Sequence, residues 1–407
     1  MKYVSKNIVY IGVNDREIDL FEGQYPVLDG ISYNSYMILD ETIAVMDSVD
    51  AAKTGEWLSN VEQALSGRQP DFLVVQHMEP DHSASIGAFV EKYPSVTIVG
   101  NERTFAMISQ FFPKLNLANT LKVKDGEKLS LGAHTLEFIF APMVHWPEVM
   151  MVYESSEKVL FSADGFGRFG AWEAGEPGNA EGLMQQRGQN QLQGVKEDWA
   201  DEARRYYIGI VGKYGAQVQN VLKKAAAFPM KTICPLHGPV LSGNLEYYLK
   251  LYDLWSSYQS EKSGVCICYA SVYGHTGEVA LLLAEKLKER GVEVVCHDLN
   301  RGDWSKAVAD AFGYDRLVLA SITYNGEIFP SMKGFLGALT ERGYRGRKVA
   351  FVENGTWAPV AIKVMASYVE KWKDITLAEN YVTIRSAVNE TVQKQVEALA
   401  EELCGRA

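Results

Sequence analysis

Apolar residues come in short bursts along the first 250 or so positions and in a regular alternation after them. Residues 7–13, 35–39, 43–47, 72–76, 97–100, 135–140 and 159–162 are apolar or β-branched runs bounded by turn residues, which predicts strands. Residues 52–65, 103–112 and 246–258 carry apolar side chains at helical spacing. The mixture predicts a layered αβ domain over residues 1–258. Residues 259–264 read as a polar linker. Beyond it, predicted strands at 265–269, 292–298, 316–321, 348–353 and 381–385 alternate with predicted helices at 277–290, 358–372 and 390–402. That alternation predicts a doubly wound parallel sheet over residues 264–407. Residues 172–198 stand apart as a polar, Gly- and Gln-rich stretch without periodicity. A lid or interface element and a plain disordered insertion are both open readings there.

A chain of 407 residues exceeds one typical core, in line with two domains. The net charge of −11 argues against general nucleic-acid binding, which needs a basic surface. No apolar run is long enough to span a bilayer, and the N-terminus lacks a signal-peptide core, so no membrane association is expected. Five cysteines are scattered without a C-x-x-C pair. Cys266 and Cys268 fall on one face of a predicted strand, as buried free thiols of a reducing, cytoplasmic compartment.

Candidate chemistry concentrates first at His77-Met78-Glu79-Pro80-Asp81-His82, just after a predicted strand. His145, Asp164 and His237 each follow a later apolar run, so all seven side chains can converge at one edge of the sheets. Four of the seven histidines of the chain fall in this set, too many for isolated structural roles. Imidazole suits zinc, copper and iron, whereas carboxylate is a harder donor; a mixture of both leans toward iron or manganese. Trp146 reads as a wall of the pocket, and Glu148 as a group behind the ligands or a surface residue. Phe166 and Phe169 read equally well as an apolar access route or as packing.

A second constellation follows the strand at 265–269. Ser271, Val272, Tyr273, Gly274, His275 and Thr276 combine hydroxyls with backbone N–H groups at a helix start, which makes an anion cradle. Neither G-x-G-x-x-G nor G-K-[ST] is present, which argues against a dinucleotide or a nucleoside triphosphate. Two more loops leave strand ends at Thr323, Tyr324, Asn325 and Gly326, and at Asn354, Gly355, Thr356 and Trp357. Tyr324 and Trp357 can flank a flat ring. Arg342, Arg345, Arg347 and Lys348 lie at the opposite strand end and read as solvated surface.

The pattern H-x-E-x-D-H, then His, Asp and His, resembles the metallo-β-lactamase superfamily. Glu79, where most zinc-binding members have a second His, resembles the flavodiiron proteins, also called A-type flavoproteins. Ser271–Thr276 is similar to the flavodoxin phosphate loop, with His275 where Asn or Ser is common. The resemblance covers essentially the whole chain. It implies an αββα metallo-β-lactamase-like sandwich in residues 1–258 and a flavodoxin-like doubly wound sheet in residues 264–407. It implies two non-haem irons, one on His77, Glu79 and His145, the other on Asp81, His82 and His237, with Asp164 bridging. Some members turn the residue matching His82 away from the metal, and the family tends to have Asp where Glu148 stands. It further implies FMN on the three loops, and reduction of dioxygen to water, nitric oxide to nitrous oxide, or both. A head-to-tail homodimer or dimer of dimers is implied. With no further module after residue 407, electrons are expected from a separate rubredoxin, reduced deazaflavin or NADH-linked reductase. Two other readings stay open: a dinuclear zinc hydrolase using metal-bound hydroxide, and a flavin electron carrier with a vestigial first domain.

Overall fold

The computed structural model describes residues 2–172 and 199–405. The stretch 172–198, left open above as a lid, an interface element or an insertion, lies, apart from Trp172, outside the described residues. The chain divides into two compact units, residues 1–207 with 216–253 and residues 208–215 with 254–407.

In the first unit two sheets carry the core. One runs Lys2–Tyr3, Ile8–Tyr10, Tyr36–Ile38, Ala44–Met46, Phe72–Val74, Thr97–Gly100, Thr120–Lys122 in spatial order. The other runs Lys128–Ser130, Thr135–Phe140, Met150–Glu154, Val159–Phe161, Thr232–Cys234, Leu241–Ser242. Ile38, Met46, Val74 and Val99 of the first sheet share one buried cluster with Phe138, Val152, Phe161 and Cys234 of the second, so the sheets face each other. Burying each such side chain contributes about 1.5–3 kcal/mol.

The sheet pattern sets where loops emerge. Val159–Phe161 pairs parallel with Thr232–Cys234, so the segments after them, which carry Asp164 and His237, leave side by side. Gln76, just past Phe72–Val74, ties the two sheets together. Its Nε2 donates to the carbonyls of Phe161 at 2.9 Å and Met150 at 3.2 Å.

The second unit holds a parallel sheet in the order Val294–Asp298, Lys262–Ala270, Tyr314–Tyr324, Lys348–Asn354, followed by Thr376–Leu377 and Val382–Ile384. The first strand sits inside and the second at the edge, which is the flavodoxin-like order 2-1-3-4-5. Val279, Leu283 and Leu287 of His275–Glu289 and Val396, Leu399 and Leu403 of Glu390–Cys404 pack on one face of it. Asn389 caps the latter helix by accepting from the N–H groups of Thr391 and Val392.

Several elements differ from expectation. The strand begins at Lys262, inside the expected polar linker, because an irregular register between Lys262 and Val265 lets the polar residues pair with Tyr314–Tyr324. Helices Trp304–Gly313 and Pro330–Glu341 are absent from the elements predicted above. The first is built largely of small residues that bury on several sides, and the second is interrupted by Gly334 and Gly337. Arg347 is not solvated surface: it is buried, and its guanidinium donates to the carbonyls of Tyr314 and Tyr258, each at 2.8 Å, and to that of Phe312. Five donors in one planar group can satisfy several strand-end carbonyls at once. All five cysteines are free, with Cys234, Cys266 and Cys268 buried, and Cys266 Sγ lies 3.6 Å from Cys268 Sγ on the shared face. No helix among the described residues is long and apolar enough to cross a membrane.

Phe138 is fully buried between the sheets, whereas Phe111 is 45% exposed. Phe138→Ala is expected to lower the stability of the first unit by about 3–5 kcal/mol. Phe111→Ala should stay within about 0.5 kcal/mol. Urea unfolding followed by far-UV circular dichroism checks both.

Candidate metal centre and flavin loops

Pro80 decides how the first motif is divided. It starts the short helix Pro80–Ser83, where its missing N–H is no loss. His77 and Glu79 therefore stand on extended chain before the helix, and Asp81 and His82 on its first turn. The two pairs point to two different groups. His77, Glu79, His145 and Asp164 bring their donor atoms within 4.8 Å of one another, and so do Asp81, His82 and His237.

In the first group His77 Nε2 lies 3.3 Å from Glu79 Oε2 and 3.2 Å from Asp164 Oδ2. His145 Nε2 lies 3.0 and 3.1 Å from the same two atoms. In the second, Asp81 Oδ2 is 3.2 Å from both His82 Nε2 and His237 Nε2, and those two nitrogens are 3.0 Å apart. The other oxygen of Asp164, Oδ1, is 3.3 Å from His82 Nε2 and 3.8 Å from His237 Nε2. Asp164 thus faces both groups, one oxygen to each. His82 is turned inward with the rest. All seven predicted residues come together.

The rings are held from behind. His77 Nδ1 donates to Glu148 Oε1 at 2.8 Å, and the same oxygen accepts the Met78 N–H at 2.8 Å. His237 Nδ1 donates to the Ser32 carbonyl at 2.7 Å. In both residues the bond fixes the tautomer and leaves the Nε2 lone pair facing the centre. Glu148 is therefore a buried group behind the ligands and not a surface residue. Asn34, fully buried, donates to the carbonyls of Pro235 and Gly238, each at 2.8 Å, and so shapes the loop that carries His237. Asp47 accepts the N–H groups of Gln76 at 2.7 Å and His77 at 3.2 Å. Ser48 donates through its hydroxyl to the His82 carbonyl at 2.8 Å. The sequence reading missed these groups. Asn34 and Ser32 did leave a signal, as polar residues inside the apolar run at 31–38.

Burial opposes every charge here, so opposite charges must outweigh it. Burial disfavours the protonated His82 ring, yet Asp81 and Asp164 bring it up to about 10. Burial likewise works against a charged His145, yet Asp164 and Glu79 bring it up to about 9. Burial raises the Asp81 and Asp164 carboxyls, and the facing histidines hold both well below the usual carboxylate range. Burial, reinforced by Asp164, Asp81 and Glu79, pushes the Tyr206 phenol far up and keeps it protonated beside the centre. The donor set also passes a test for cations. Both Asp81 oxygens and Asp164 Oδ1 are buried there with no hydrogen-bond partner. Four imidazoles and three carboxylates suit two divalent ions bridged by a shared carboxylate.

The pocket residues divide as well. Trp146 stands edge-on 5.4 Å from the His77 ring, as a wall. Phe166 stacks 4.1 Å from Tyr252, and Phe169 is packed among Phe21, Tyr25 and Tyr206. Both are buried, so packing is the role the structure gives them. His134, outside the set, is held between Asp40 at 2.7 Å and Glu157 at 3.2 Å.

The three loops expected to hold a flavin emerge together at the C-terminal edge of the second sheet. Ser271–Gly274 joins Lys262–Ala270 to His275–Glu289, and Gly274 takes φ +94° at the helix start, a conformation glycine adopts without penalty. Ser271 Oγ is buried without a partner, as a hydroxyl awaiting an anion would be. His275 is half-exposed, with Nδ1 3.7 Å from Glu278. Tyr273 is 91% and Trp357 87% exposed, and Tyr324 and Val272 are exposed too, an unusual aromatic display for a sheet edge. Asn325 and Gly326 both have positive φ, at the turn between Tyr314–Tyr324 and Glu327–Ile328. Other members of the set hold the loops in place. Thr323 Oγ1 accepts the Val360 N–H, Asn354 is buried and donates to Thr276 and Ser386, Gly355 donates to Ile384, and Thr356 pairs with the Ser386 hydroxyl.

Glu148→Ala leaves the His77 Nδ1–H and the Met78 N–H without their acceptor. It is expected to lower stability by about 1–3 kcal/mol in urea unfolding. Glu148→Gln, which keeps one carbonyl oxygen, should recover part of that loss.

Comparison with known proteins agrees with this geometry. Residues 31–238 match the family described as ODP family beta lactamase, and residues 266–396 match a flavodoxin domain. An anaerobic nitric oxide reductase flavorubredoxin of Vibrio vulnificus is 29% identical over 87% of this chain and 70% of its own length. A nitric oxide reductase of Moorella thermoacetica is 26% identical over 94% of this chain and 92% of its own. The crystal structure of the flavodiiron protein from Giardia intestinalis superposes with a TM-score of 0.89 at 25% identity, covering 99% of this chain and 97% of that one. With the match spanning just over half of its length, this chain belongs to the ODP beta-lactamase family, with a flavodoxin domain behind the family region.

Proposed function

We propose that this protein is a flavodiiron oxidoreductase that reduces dioxygen to water, nitric oxide to nitrous oxide, or both. The observation that carries the reading is Asp164. Its two oxygens face two separate groups of ligands in a chain that also has a flavodoxin domain. His77, Glu79 and His145 would hold one iron, Asp81, His82 and His237 the other, with Asp164 between them. Residues 1–258 would supply this centre, and residues 264–407 the flavin site.

Two bound irons would supply redox equivalents and open coordination positions for a diatomic gas, and FMN would supply electrons one at a time. The chain's own residues do the rest. Glu148 and the Ser32 carbonyl orient two of the imidazoles. Trp146 closes one side of the site. The buried Tyr206 keeps its proton and can donate a hydrogen bond toward the centre. At the other site, Ser271, Thr276 and the N–H groups at the start of His275–Glu289 would take the FMN phosphate. Tyr324 and Trp357 would cover the ring. The V. vulnificus and M. thermoacetica relatives are named for nitric oxide reduction, which supports that substrate without excluding dioxygen. A separate donor, such as a rubredoxin, deazaflavin or NADH-linked reductase, would feed the flavin. A head-to-tail homodimer would bring the flavin of one protomer toward the metals of its partner.

The test is turnover of each gas on anaerobically prepared full-length protein, with iron and FMN quantified in the same sample. The expected result is two irons and one FMN per chain with rapid consumption of at least one gas. Zinc in place of iron, with neither gas consumed after iron loading, would point to the hydrolase reading instead.

A further inference from the structure

The helix Gly215–Ala225 carries Val218, Val221, Leu222 and Ala225 at positions i, i+3, i+4 and i+7, which makes one apolar stripe along its length. Lys223 and Lys224 are exposed on the other side. Lys224 Nζ fixes the helix by donating to Asp125 Oδ2 at 2.8 Å and to the Phe140 carbonyl at 3.1 Å. The stripe faces the segments that carry His145 and Asp164, but it does not close on them completely. A cavity is left between it and Val144, Met151, Gly165 and Phe166. The cavity offers about 10 Å³ to the centre of a water-sized sphere, which is room for one small molecule.

Nothing in this cavity suits water, since a buried water needs about two to four polar partners. The Gly165 N–H donates to the Ser162 carbonyl at 2.9 Å, and the Gly165 carbonyl accepts the Ser162 hydroxyl at 2.6 Å. The Val144 N–H donates to the Ala141 carbonyl at 3.0 Å. Tyr252 supplies the one hydroxyl among the described lining residues, and it already accepts the Phe166 N–H at 2.5 Å. What remains to face the cavity is carbon and the Met151 thioether.

The cavity also lies close behind the metal centre. Val144 precedes His145 and Gly165 follows Asp164, with neighbouring Cα atoms about 3.8 Å apart. Those two ligands meet at 3.1 Å, from His145 Nε2 to Asp164 Oδ2. One layer of chain therefore separates the cavity from the first ligand group. Gly165 keeps that layer thin: a Cβ there would lie 2.9 Å from Met151 Cε and 2.9 Å from the Ser162 carbonyl oxygen.

We propose that this cavity binds a small, neutral, apolar gas and stages it on the way to the metal centre, a role that rests on the function proposed above. Dioxygen and nitric oxide share the chemistry that the walls select, being diatomic, uncharged and weak in hydrogen bonding. A dry apolar cavity takes up such guests because no bound water has to leave first. Water and ions find no partners there. Binding is physical, and no bond forms or breaks in the cavity.

Xenon is the probe, since it is apolar, monatomic and of comparable size. Crystals of the full-length protein, loaded with iron and FMN and pressurised with xenon, should show a xenon peak between Val221 and Gly165. Ala225→Leu, which extends a side chain into the space, should lose that peak and keep its iron and FMN. Its KM for the gas should rise about 4-fold, the factor that burying one methylene-sized group is worth, with kcat at saturating gas unchanged. Val221→Ile adds a single methyl group and carries the same expectation should Ala225→Leu not fold. Absence of the peak in wild type would overturn the proposal, as would a filled cavity with an unchanged KM. A xenon peak in protein that consumes neither gas would overturn the functional reading and the staging role, and leave the cavity as a site for apolar gases. Gas consumption without a xenon peak would leave the functional reading standing and the cavity proposal refuted.

Discussion

Everything near the centre follows from burying three carboxylates among four imidazoles at one edge of a β-sandwich. Ionised groups taken out of water are destabilising by several kcal/mol each unless they are paired. The structure meets this by placing every charge opposite a partner and by making Asp164 serve both groups. The arrangement is only as good as its supports, since a misplaced ring would leave a buried charge uncompensated. Hence the dense layer behind it, in which Asp47, Ser48, Asn34, Glu148 and the Ser32 carbonyl each hold a loop or a ring. Gln76 binds both sheets together one residue before the first ligand, so the sandwich and the centre stabilise each other.

The two units solve the problem of placing chemistry on a scaffold in the same manner. Parallel strands leave their C-terminal ends at one edge, and loops there converge without further design. In the first unit, parallel pairing of Val159–Phe161 with Thr232–Cys234 aligns the segments of Asp164 and His237, distant in sequence. In the second, four adjacent parallel strands bring Tyr273, Tyr324 and Trp357 to one edge. The metal groups are buried and charged, whereas the aromatic edge is open and apolar. That contrast matches the different chemistry proposed for each.

Much of this was legible in the sequence for a local reason. His77 to His82 lie within six residues, and Pro80 announces the helix that separates them into two pairs. Asp164 and His237 could be found because each directly follows a strand-like run. What escaped depends on tertiary contact. Glu148 reads as a group behind the ligands or as a surface residue, and only the fold decides by setting it against His77. Tyr206 reaches the centre only because a helix is laid over it, with its ring 5.4 Å from that of His237. Arg347 looked like surface because a basic cluster normally is, and only the chain crossing at Tyr314 and Tyr258 buries it.

The central claim is that two ions share one carboxylate, and magnetism tests it directly. Applied-field Mössbauer spectra of the oxidised, iron-loaded protein would report whether the two irons interact. The account predicts a single coupled pair of high-spin ferric ions with a diamagnetic ground state. Two independent paramagnetic ferric sites, or one iron per chain in a fully loaded sample, would contradict it.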